Sequence, residues 1–437
     1  MTAISVQRLV MADGSSGERK SAVAAAQAAD ACAENLSARG SPPVDLLLLF
    51  VSPHHGGSLA EIAKIVSSRL SPRCILGCAA EVVIAGSLEM EGLPGISILA
   101  LCAPGAGVHP FTSSDLPLAL QAGEADDGDE DLARVASAAG IGPGHRATIV
   151  LADPFTQPTD TLLHALAKSR AMASPESADE RRSPIVGGLA AGGRRPGTGA
   201  LLLNNSVIRS GLVGVSLSGP LRVDGVVSQG CRPFGPNLVV TAVRGRSIRG
   251  LSGKQALTAL RETIEALPEA EREALGKGVL LGRVINEHKD RFGRGDYLMR
   301  AVTGVSEGEG EVLVADRLRV GQTVRFHVRD AQTASEDLEM LLDAQALHGP
   351  PAGCLLVTCN GRGTRLFTEQ SHDARHVQKA FLEQAAEDKA RAGQSVAPGN
   401  PIPLAGFFAA GEIGPVGDGV FLHGQTTCAV MFRAEAR

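Results

Sequence analysis

The sequence predicts a mixed α/β fold in which flanking helices cover layered sheets. Short apolar runs bounded by glycine are typical of buried strands, and they alternate with amphipathic stretches of helical period. A strand–loop–helix–strand pattern recurs three times along the chain. In the C-terminal half, exposed turns such as Ser306–Glu311 separate strand-like runs and indicate long antiparallel hairpins.

Hydrophobic patterning assigns the individual elements. Six stretches have clear helical periodicity: Ala22–Leu36, Ser58–Leu70, Thr159–Met172, Lys254–Leu267, Ala334–Leu347 and Asp373–Leu382. Ten apolar runs predict strands: Leu46–Val51, Ile75–Cys78, Ile96–Leu101, Thr148–Leu151, Leu212–Leu217, Leu238–Val243, Gly278–Val284, Thr323–Val328, Leu355–Cys359 and Thr427–Phe432. Three polar segments predict loops or linkers: Gly123–Asp131, Ser174–Ser183 and Gln394–Pro403. The first twenty residues lack strong periodicity and are predicted to be partly disordered.

The recurring pattern indicates a βαβ unit that is used three times. Its copies open with DLLLLFVSPHHG, ATIVLADPF and GCLLVTCNGRG, and they close with CILGCAAE, PIVGGLAAGG and PLAGFFAAGE. Parallel strands present their carboxyl ends at one edge of a sheet, and ligands bind in the crevice there. The sequence therefore predicts a ligand crevice lined by the strand-end residues. These are Ser52–His55, Glu81, Asp153, Asn360–Gly363 and Glu412.

Composition excludes several classes of function. The 437 residues carry a formal net charge of -5 and no basic tract, so a nucleic-acid partner is not expected. The longest strongly apolar run, Val44–Val51, is far too short for a membrane-spanning helix, and the N-terminus lacks the pattern of a secretory signal. Eight cysteines occur without a CxxC pair, which favours buried thiols in a reducing compartment and predicts a cytoplasmic protein.

The loop Asn360-Gly361-Arg362-Gly363 is the first candidate binding site. It follows a predicted strand, its glycines expose backbone amides, and Arg362 can make a bidentate contact with a carboxylate. The alternative is a tight turn that carries a surface arginine. Both interpretations remain open from the sequence.

Glu412 is the second candidate, since it sets one carboxylate among small residues after a strand-like run. It can hold the ammonium group of an amino acid, with Glu81 at the corresponding strand end of another unit. The alternative is a loop glutamate that pairs with a neighbouring arginine at the surface, where such a pair contributes little.

Arg232 and His423 are weaker candidates. Arg232 lies in a loop, Gln229–Gly235, and either contacts a second anion or buttresses the loop through backbone carbonyls. His423 precedes the last strand and either faces the pocket or satisfies a loop carbonyl.

Neither a metal nor a cofactor is expected. His372 and His376 are spaced i, i+4 at a predicted helix start, as in some metal sites, but Asp373 is the one further ligand type nearby. A solvated helix face with a polar cap is the favoured interpretation. Asp330 is likewise expected to cap a helix that begins at or after Ala331.

The chain resembles the FIST family, named for F-box and intracellular signal transduction proteins. The motifs LFVSPHH, ILGCAAE, LADPF and IVGGLAAGG carry the N-terminal resemblance. QGCRPFGP, GDYLMRAVTG, VGQTVRFHVRDA, CNGRG, PLAGFFAAGEIGP and FLHGQTT carry the C-terminal one. The resemblance implies a FIST N-terminal domain over residues 1–219, with its core from about residue 45, and a FIST C-terminal domain over residues 220–437.

The resemblance also implies a sensory module that binds a small ligand, with an amino acid suspected. Because no F-box and no kinase, cyclase or receiver motif is found, we expect a stand-alone sensor that signals through an unknown protein partner. Two alternatives stay open. One is an adaptor in protein turnover, related to F-box members of the family. The other is a hydrolase or transferase that uses Cys359 as nucleophile, activated by His372 or His423.

Overall fold

The structure is a computed structural model, and it describes residues 9–118, 120, 128–155, 159–173, 182–391, 401–417 and 419–435. The chain forms two compact units. Unit 1 comprises residues 1–227, 341–422 and 427–437, and unit 2 comprises residues 228–340 and 423–426. The predicted division between residues 219 and 220 stays a prediction about domain boundaries.

Helices flank the sheets, as the sequence predicts. The α-helices of the described residues are α1 (Ser21–Ser37), α2 (Leu59–Leu70), α3 (Asp129–Ala138), α4 (Thr159–Ala173), α5 (Ala256–Glu265), α6 (Glu269–Ala274), α7 (Ala331–Ala346) and α8 (His372–Arg391). The carboxylate of Asp330 accepts hydrogen bonds from the backbone amides of Gln332 and Thr333, which confirms its predicted role as the cap of α7.

The strands before residue 219 all belong to unit 1. They are β1 (Val10–Ser16), β2 (Leu46–Val51), β3 (Cys74–Ala79), β4 (Val83–Ala85), β5 (Leu88–Glu89), β6 (Ile96–Cys102), β7 (Gly107–Thr112), β8 (His145–Ala152), β9 (Ile185–Ala190), β10 (Leu201–Leu203), β11 (Ser206–Ile208) and β12 (Leu212–Ser218). The later strands are β13 (Leu221–Gln229), β14 (Cys231–Arg244), β15 (Ser247–Leu251), β16 (Lys254–Gln255), β17 (Val279–Val284), β18 (Tyr297–Ser306), β19 (Glu311–Val314), β20 (Thr323–Arg329), β21 (Gly353–Cys359), β22 (Leu404–Val416), β23 (Gly419–His423) and β24 (Thr426–Ala434).

Unit 1 is a sandwich of two sheets with helices on both outer faces. Within the described residues, one sheet has the order β1-β6-β2-β3-β10-β11 and the other β13-β24-β21-β22-β9-β8-β12-β7, with β4, β5 and β23 attached to it. The inner faces share one apolar core, in which the rings of Phe50 and Phe407 stack 4.9 Å apart. Helices α1 and α2 pack on the outer face of the first sheet, and α3 and α4 on that of the second.

Unit 2 is built on antiparallel strands. Its described strands run in the order β14-β20-β17-β18-β19-β15-β16, and a further pairing of β14 with β15 closes six of them into a ring. Closure leaves these six strands without an open edge. Phe234 and Phe326 stack in its core, and α5 covers that core with Leu257 and Leu260. The predicted antiparallel arrangement of the C-terminal half, and the mixed α/β class, are confirmed.

The three predicted βαβ units are present, and each pairs its two strands in parallel. They are β2-α2-β3, β8-α4-β9 and β21-α8-β22. Each second strand carries a glycine at an equivalent register, opposite Leu49, Val150 and Leu356 respectively. A Cβ built on Gly77, Gly187 or Gly406 would overlap the carbonyl oxygen of that opposing residue. Glycine is therefore required at this position in all three units.

Three segments differ from their sequence-based assignment. Residues 10–16, predicted to be partly disordered, form β1, whose small polar residues carry little strand propensity but pair with β6 along its length. Residues 129–131, assigned to an acidic loop, begin α3, because acidic side chains are favourable in the first turn of a helix. Residues 269–274 form the short helix α6, for which no helix was predicted.

The predicted linkers fall largely outside the described residues, namely over 123–127, 174–181 and 394–400, while 401–403 are irregular. None of the helices that the structure describes combines the length and hydropathy that a membrane crossing requires.

Substitution of Gly406 by alanine tests the close approach within the βαβ unit. We expect it to lower the free energy of unfolding by at least the ~3 kcal/mol typical of severe overpacking, because the new methyl overlaps a backbone oxygen of the paired strand β21. Gly142→Ala is the matched control, since a Cβ there meets open space and its φ is not positive. Equal urea-denaturation midpoints for the two variants would contradict the constraint.

Candidate functional site

A cavity of about 680 Å³ lies in unit 1 at the carboxyl ends of the parallel strands. Its lining residues come from the ends of strands in all three βαβ units and from two neighbouring segments. They are Arg19, Pro53, His54, Glu81, Val82, Glu91, Gly92, Leu93, Pro94, Arg194, Asn360, Thr364, Arg365 and Phe408. This volume lies within the range of small-ligand sites in proteins.

Backbone hydrogen bonds bring the strand ends of the different units together. The amide of Phe408 donates to the carbonyl of Val82 at 2.9 Å, which joins β22 to the segment that follows β3. The amide of Gly192, after β9, donates to the carbonyl of Ala79 at the end of β3 at 3.0 Å. The three units therefore deliver side chains to one cavity, as the parallel strand order predicts.

Ion pairs and hydrogen bonds fix one wall of the cavity. Arg365 Nη2 lies 2.5 Å from Glu81 Oε1, and Arg365 Nη1 donates to the backbone carbonyl of Asn360 at 2.7 Å. The carboxylate of Glu91 accepts hydrogen bonds from the amide and the hydroxyl of Thr364, at 2.9 and 2.6 Å. The loop after β21 is thus held in place by residues that follow β3 and β5.

Two further arginines and one side-chain amide provide groups that can form hydrogen bonds with a ligand. Arg19 and Arg194 are exposed and line the cavity. The side-chain oxygen of Asn360 is buried, and it accepts no hydrogen bond from the residues that the structure describes. His54 donates from Nε2 to the backbone carbonyl of Arg19 at 2.9 Å, which ties that segment to the end of β2. A buried carbonyl oxygen without a donor is costly, and a ligand N–H or ammonium group can satisfy it.

Among the sequence-predicted site residues, Glu81 and Asn360 meet at this cavity. Arg362 differs from these two residues, because its side chain is buried. Its guanidinium forms a bidentate ion pair with Asp373, at 2.7 and 2.8 Å. Its guanidinium also lies over the ring of Phe367 at 5.1 Å. Gly363 adopts a positive φ of 57° at the start of the next turn. Ligand contact by Arg362, and by the amides of Gly361 and Gly363, stays a prediction.

Glu412 is buried within β22, opposite Gly188 of β9, and is not in a loop as the sequence suggested. Burial, and then the nearby Glu412 carboxylate, raise the pKa of the Cys428 thiol. The two remaining predicted residues belong to unit 2. Arg232 lies in β14 and not in the predicted loop. It pairs with Glu271 at 2.8 Å and Asp330 at 3.2 Å, and its hydrogen bond to Glu271 is the main cause that raises its pKa. His423 is buried in unit 2.

Several cavity residues were not singled out from the sequence, among them Arg19, Glu91, Arg194 and Arg365. The place of Arg194 could have been predicted from the sequence, because it follows the second strand of the second βαβ unit much as Glu81 follows that of the first. No sequence pattern predicts the places of Arg19 and Glu91, because they reach the cavity from segments outside the repeats.

A cluster of buried charges lies at the amino end of α8. His372 Nδ1 lies 2.9 Å from Asp373 Oδ1, and the His372 ring stacks between Phe367 and His376. Burial disfavours the charged form of Asp373, but Arg362 and the His372 hydrogen bond outweigh it and hold the pKa of Asp373 below its ordinary value. The predicted placement of these histidines at a helix start is confirmed, but the predicted solvated face is wrong, because His372 and Asp373 are buried.

Glu89 of β5 faces the same helix end. Its Oε1 accepts the backbone amide of Ala374 at 3.0 Å, and its Oε2 is buried with no hydrogen-bond partner among the described residues. Burial, assisted by the charge of Asp373, raises the pKa of Glu89 from 4.5 to about 8.

Glu89 makes the stability of the protein depend on pH. Between its ordinary pKa of 4.5 and its folded value of about 8, the folded state holds more protons than the unfolded chain. The free energy of unfolding therefore falls as pH rises through that window. We expect Glu89→Gln, which keeps the Oε1 acceptor and cannot ionise, to remove most of that decline in urea denaturation series from about pH 5 to about pH 9. Glu61→Gln, at an exposed position of α2, is the control. If the stability of Glu89→Gln fell with rising pH as much as that of the unaltered protein, Glu89 would not be the cause.

The ion pair of Arg362 with Asp373 is expected to stabilise the fold as well as the loop. Asp373→Asn removes the carboxylate that the buried guanidinium contacts at two atoms, so we expect a loss of about 3–5 kcal/mol in the free energy of unfolding. Asp30→Asn removes the exposed pair with Arg69 and is expected to cost less than about 1 kcal/mol. Equal losses for both variants would show that the buried pair has no special weight.

The fold and the cavity define a mixed α/β protein in which three βαβ units converge on one strand-end site. The chain belongs to the FIST family: the model of the FIST N domain matches residues 45–254, and the model of the FIST C domain matches residues 256–415. FIST domains are generally sensory ligand-binding domains.

Relatives of similar length occur in mycobacteria. An uncharacterized protein of Mycobacterium tuberculosis (strain ATCC 25618 / H37Rv) is 34% identical over 417 residues, covering 94% of this chain and 96% of the relative. An uncharacterized protein of Mycobacterium bovis (strain ATCC BAA-935 / AF2122/97) is 34% identical over 418 residues, covering 94% and 95%.

Solved structures resemble the chain more distantly. The cyanuric acid hydrolase from A. caulinodans has a TM-score of 0.30 at 11% identity and covers 98% of this chain and 100% of its own. PurL of T. maritima complexed with ATP has a TM-score of 0.21 at 9% identity, covering 97% and 71%.

Proposed function

We propose that this protein is a sensor that binds a small zwitterion, an amino acid being the simplest, in the strand-end cavity of unit 1. One observation carries the proposal: the buried Asn360 oxygen, which has no donor among the described residues, lines the same cavity as Arg19, Arg194 and the Glu81–Arg365 pair. The membership of the chain in a family of generally sensory ligand-binding domains supports it.

The charges of the cavity match both ends of an amino acid. Guanidinium groups bind carboxylates through paired hydrogen bonds, and Arg19 and Arg194 are exposed on the lining. The Asn360 oxygen and the Glu81 carboxylate are acceptors for an ammonium group. Since the lining bears three arginines against two glutamates, a ligand with net negative charge, such as an acidic amino acid, is favoured over a cationic one.

Signal output is proposed to pass through a protein partner in the cytoplasm. The eight cysteines are all free and buried, which supports a reducing compartment. Since the loop after β21 is tied to the segments after β3 and β5, a ligand that shifts one of these segments also shifts the others. Such a change in shape is what a partner can detect.

Binding rather than catalysis is the proposed activity. In the alternative, a Cys359 thiol is activated by His372 or His423. The imidazole of His372 is engaged by Asp373 and by two stacked rings. This placement favours a structural role for His372 over activation of Cys359.

Isothermal calorimetry of the full chain against the twenty amino acids tests the proposal. We expect binding of one or more of them, weakened about tenfold or more by Arg194→Gln and by Asn360→Leu, since each loses a charge-assisted or buried hydrogen bond of ~1.4 kcal/mol or more. Arg195→Gln is the matched control: it is the exposed neighbour of Arg194 and does not line the cavity.

Absence of heat with every amino acid at millimolar concentration would refute the amino-acid ligand. Equal effects of Arg194→Gln and Arg195→Gln would refute the site. A protein partner that co-purifies with the chain regardless of added small molecules would instead favour the adaptor in protein turnover.

A further inference from the structure

Unit 2 has a small cavity of its own, of about 80 Å³. Phe326 of β20 belongs to the main apolar core of this unit, so the next residue, His327, points to the opposite face of the sheet, where the cavity lies. Strands β13, β14, β18 and β20, helix α7 and residues 292–294 contribute its lining. It opens toward solvent at Gly293 and Arg294, which are exposed.

Three buried side chains of the lining carry hydrogen-bond acceptors, namely Gln229, Asp337 and His327, which are 7%, 5% and 2% exposed. Gln229 donates from Nε2 to the carbonyl of Tyr297 at 2.8 Å, and its Oε1 has no donor among the residues that the structure describes. Asp337 accepts the Ser228 hydroxyl and the Gln229 backbone amide, both at 2.8 Å and both on Oδ2. Its Oδ1 has no donor in the same part of the chain. Buried acceptors without donors are costly, so both oxygens require a donor from outside the chain.

The third acceptor is the Nε2 atom of His327. Its Nδ1 donates to the backbone carbonyl of Arg325 at 3.0 Å. Burial is the main cause that lowers the pKa of His327 to about 4, so the ring is uncharged near neutral pH. A neutral imidazole with its proton on Nδ1 has a lone pair on Nε2. That lone pair accepts no hydrogen bond from the described residues.

Asp337 also brings a negative charge to the cavity. Within the described ranges its carboxylate forms no ion pair, although buried charges in proteins are normally paired. Two arginines line the cavity, but their known contacts lie elsewhere: Arg325 donates from Nε to the carbonyl of Gly235 at 2.8 Å, and Arg294 lies 3.5 Å from the carboxylate of Glu336. The cavity therefore offers one carboxylate to one cation, and a second positive charge is unfavourable beside Arg325.

Aromatic rings and a small volume restrict the ligand further. The ring of Tyr297 contacts that of His327 at 5.0 Å and that of Phe292 at 6.0 Å, and all three line the cavity. The faces of tyrosine and phenylalanine rings attract cations. The volume is well below the ~150 Å³ of a cavity that binds benzene, so it suits a head group of a few atoms. Among the described residues, no three cysteine, histidine or acidic side chains are spaced to hold a metal ion.

We infer that this cavity is a second ligand site of the protein, and that it binds the ammonium group of a small primary monoamine. An ammonium group carries three N–H donors and one positive charge, which correspond to the three acceptors and the one carboxylate of the lining. A neutral amide has two N–H donors at most and leaves the charge of Asp337 without a partner. The inference is independent of the amino-acid site in unit 1, because the two cavities share no lining residue.

Intrinsic fluorescence reports on this cavity alone. The chain contains one tyrosine and no tryptophan, and that tyrosine is Tyr297 in the cavity lining. We expect ethylammonium chloride to change the tyrosine fluorescence of the full chain with a dissociation constant on the order of 1 mM, since so small a ligand has few atoms to contribute. Sodium chloride at the same ionic strength provides the reference for effects of salt.

Two variants of the lining test the role of its acceptors. Asp337→Asn keeps an oxygen for Ser228 and Gln229 but removes the charge, so we expect binding to weaken about tenfold or more. Gln229→Met removes one acceptor at similar length and is the second variant if Asp337→Asn folds poorly, which circular dichroism checks. Asp343→Asn, at an exposed position of the same helix α7, is expected to bind ethylammonium like the unaltered protein.

Three results would overturn the inference. The first is no specific change in fluorescence up to about 100 mM ethylammonium, which would mean that water alone satisfies the three acceptors. The second is an equal response to tetramethylammonium, which has the charge but no N–H donor. The third is an equal loss of affinity in Asp337→Asn and Asp343→Asn, which would indicate attraction by surface charge in general. Arg194→Gln is expected to leave the ethylammonium titration unchanged, so failure here is separable from failure of the amino-acid site.

Discussion

The parallel pairing inside each βαβ unit is the constraint on which the rest of unit 1 depends. A glycine at the same register in β3, β9 and β22 lets each second strand approach the carbonyl group of the first more closely than any side chain permits. Because all three units obey this geometry, their carboxyl ends open toward one cavity. The ligand site proposed there is therefore a product of strand direction, and its chemistry is set by the residues just beyond each strand.

The sequence predicts the parts of this arrangement that depend on local signals. The three βαβ units, the cap at Asp330 and the strand-end positions of Glu81 and Asn360 follow from apolar runs, glycine and helical period. The sequence does not predict contacts between segments that are distant along the chain. The partner of Arg362 is a helix residue eleven positions later, and that pairing depends on how α8 packs, which no local pattern encodes. Arg19 and Glu91 reach the first cavity for the same reason.

A network of buried charged residues stabilises the loop that lines the first cavity. Arg362, Asp373 and Glu89 form a network at the amino end of α8, and the same loop that carries Arg362 also carries Asn360 and Arg365 at the cavity. A buried guanidinium is an unusual way to anchor a loop, because desolvation makes it costly unless its partner is fully engaged. The two-pronged contact with Asp373 meets that condition. It fixes the start of the loop that carries the proposed ligand groups, and groups that are already in place lose less conformational entropy on binding.

Unit 1 is discontinuous along the chain, and this has a consequence for its biogenesis. Strands β21, β22 and β24 lie in the middle of the larger sheet, between β13 and β9, yet they follow residues 228–340 of unit 2 in sequence. A ribosome therefore exposes β9 and β13 with unpaired inner edges until more than four hundred residues have been translated. Such edges are prone to aggregation, so we expect the nascent protein to depend on chaperones. Truncated products that end near the middle of the chain share the same exposed edges and are candidates for rapid proteolysis.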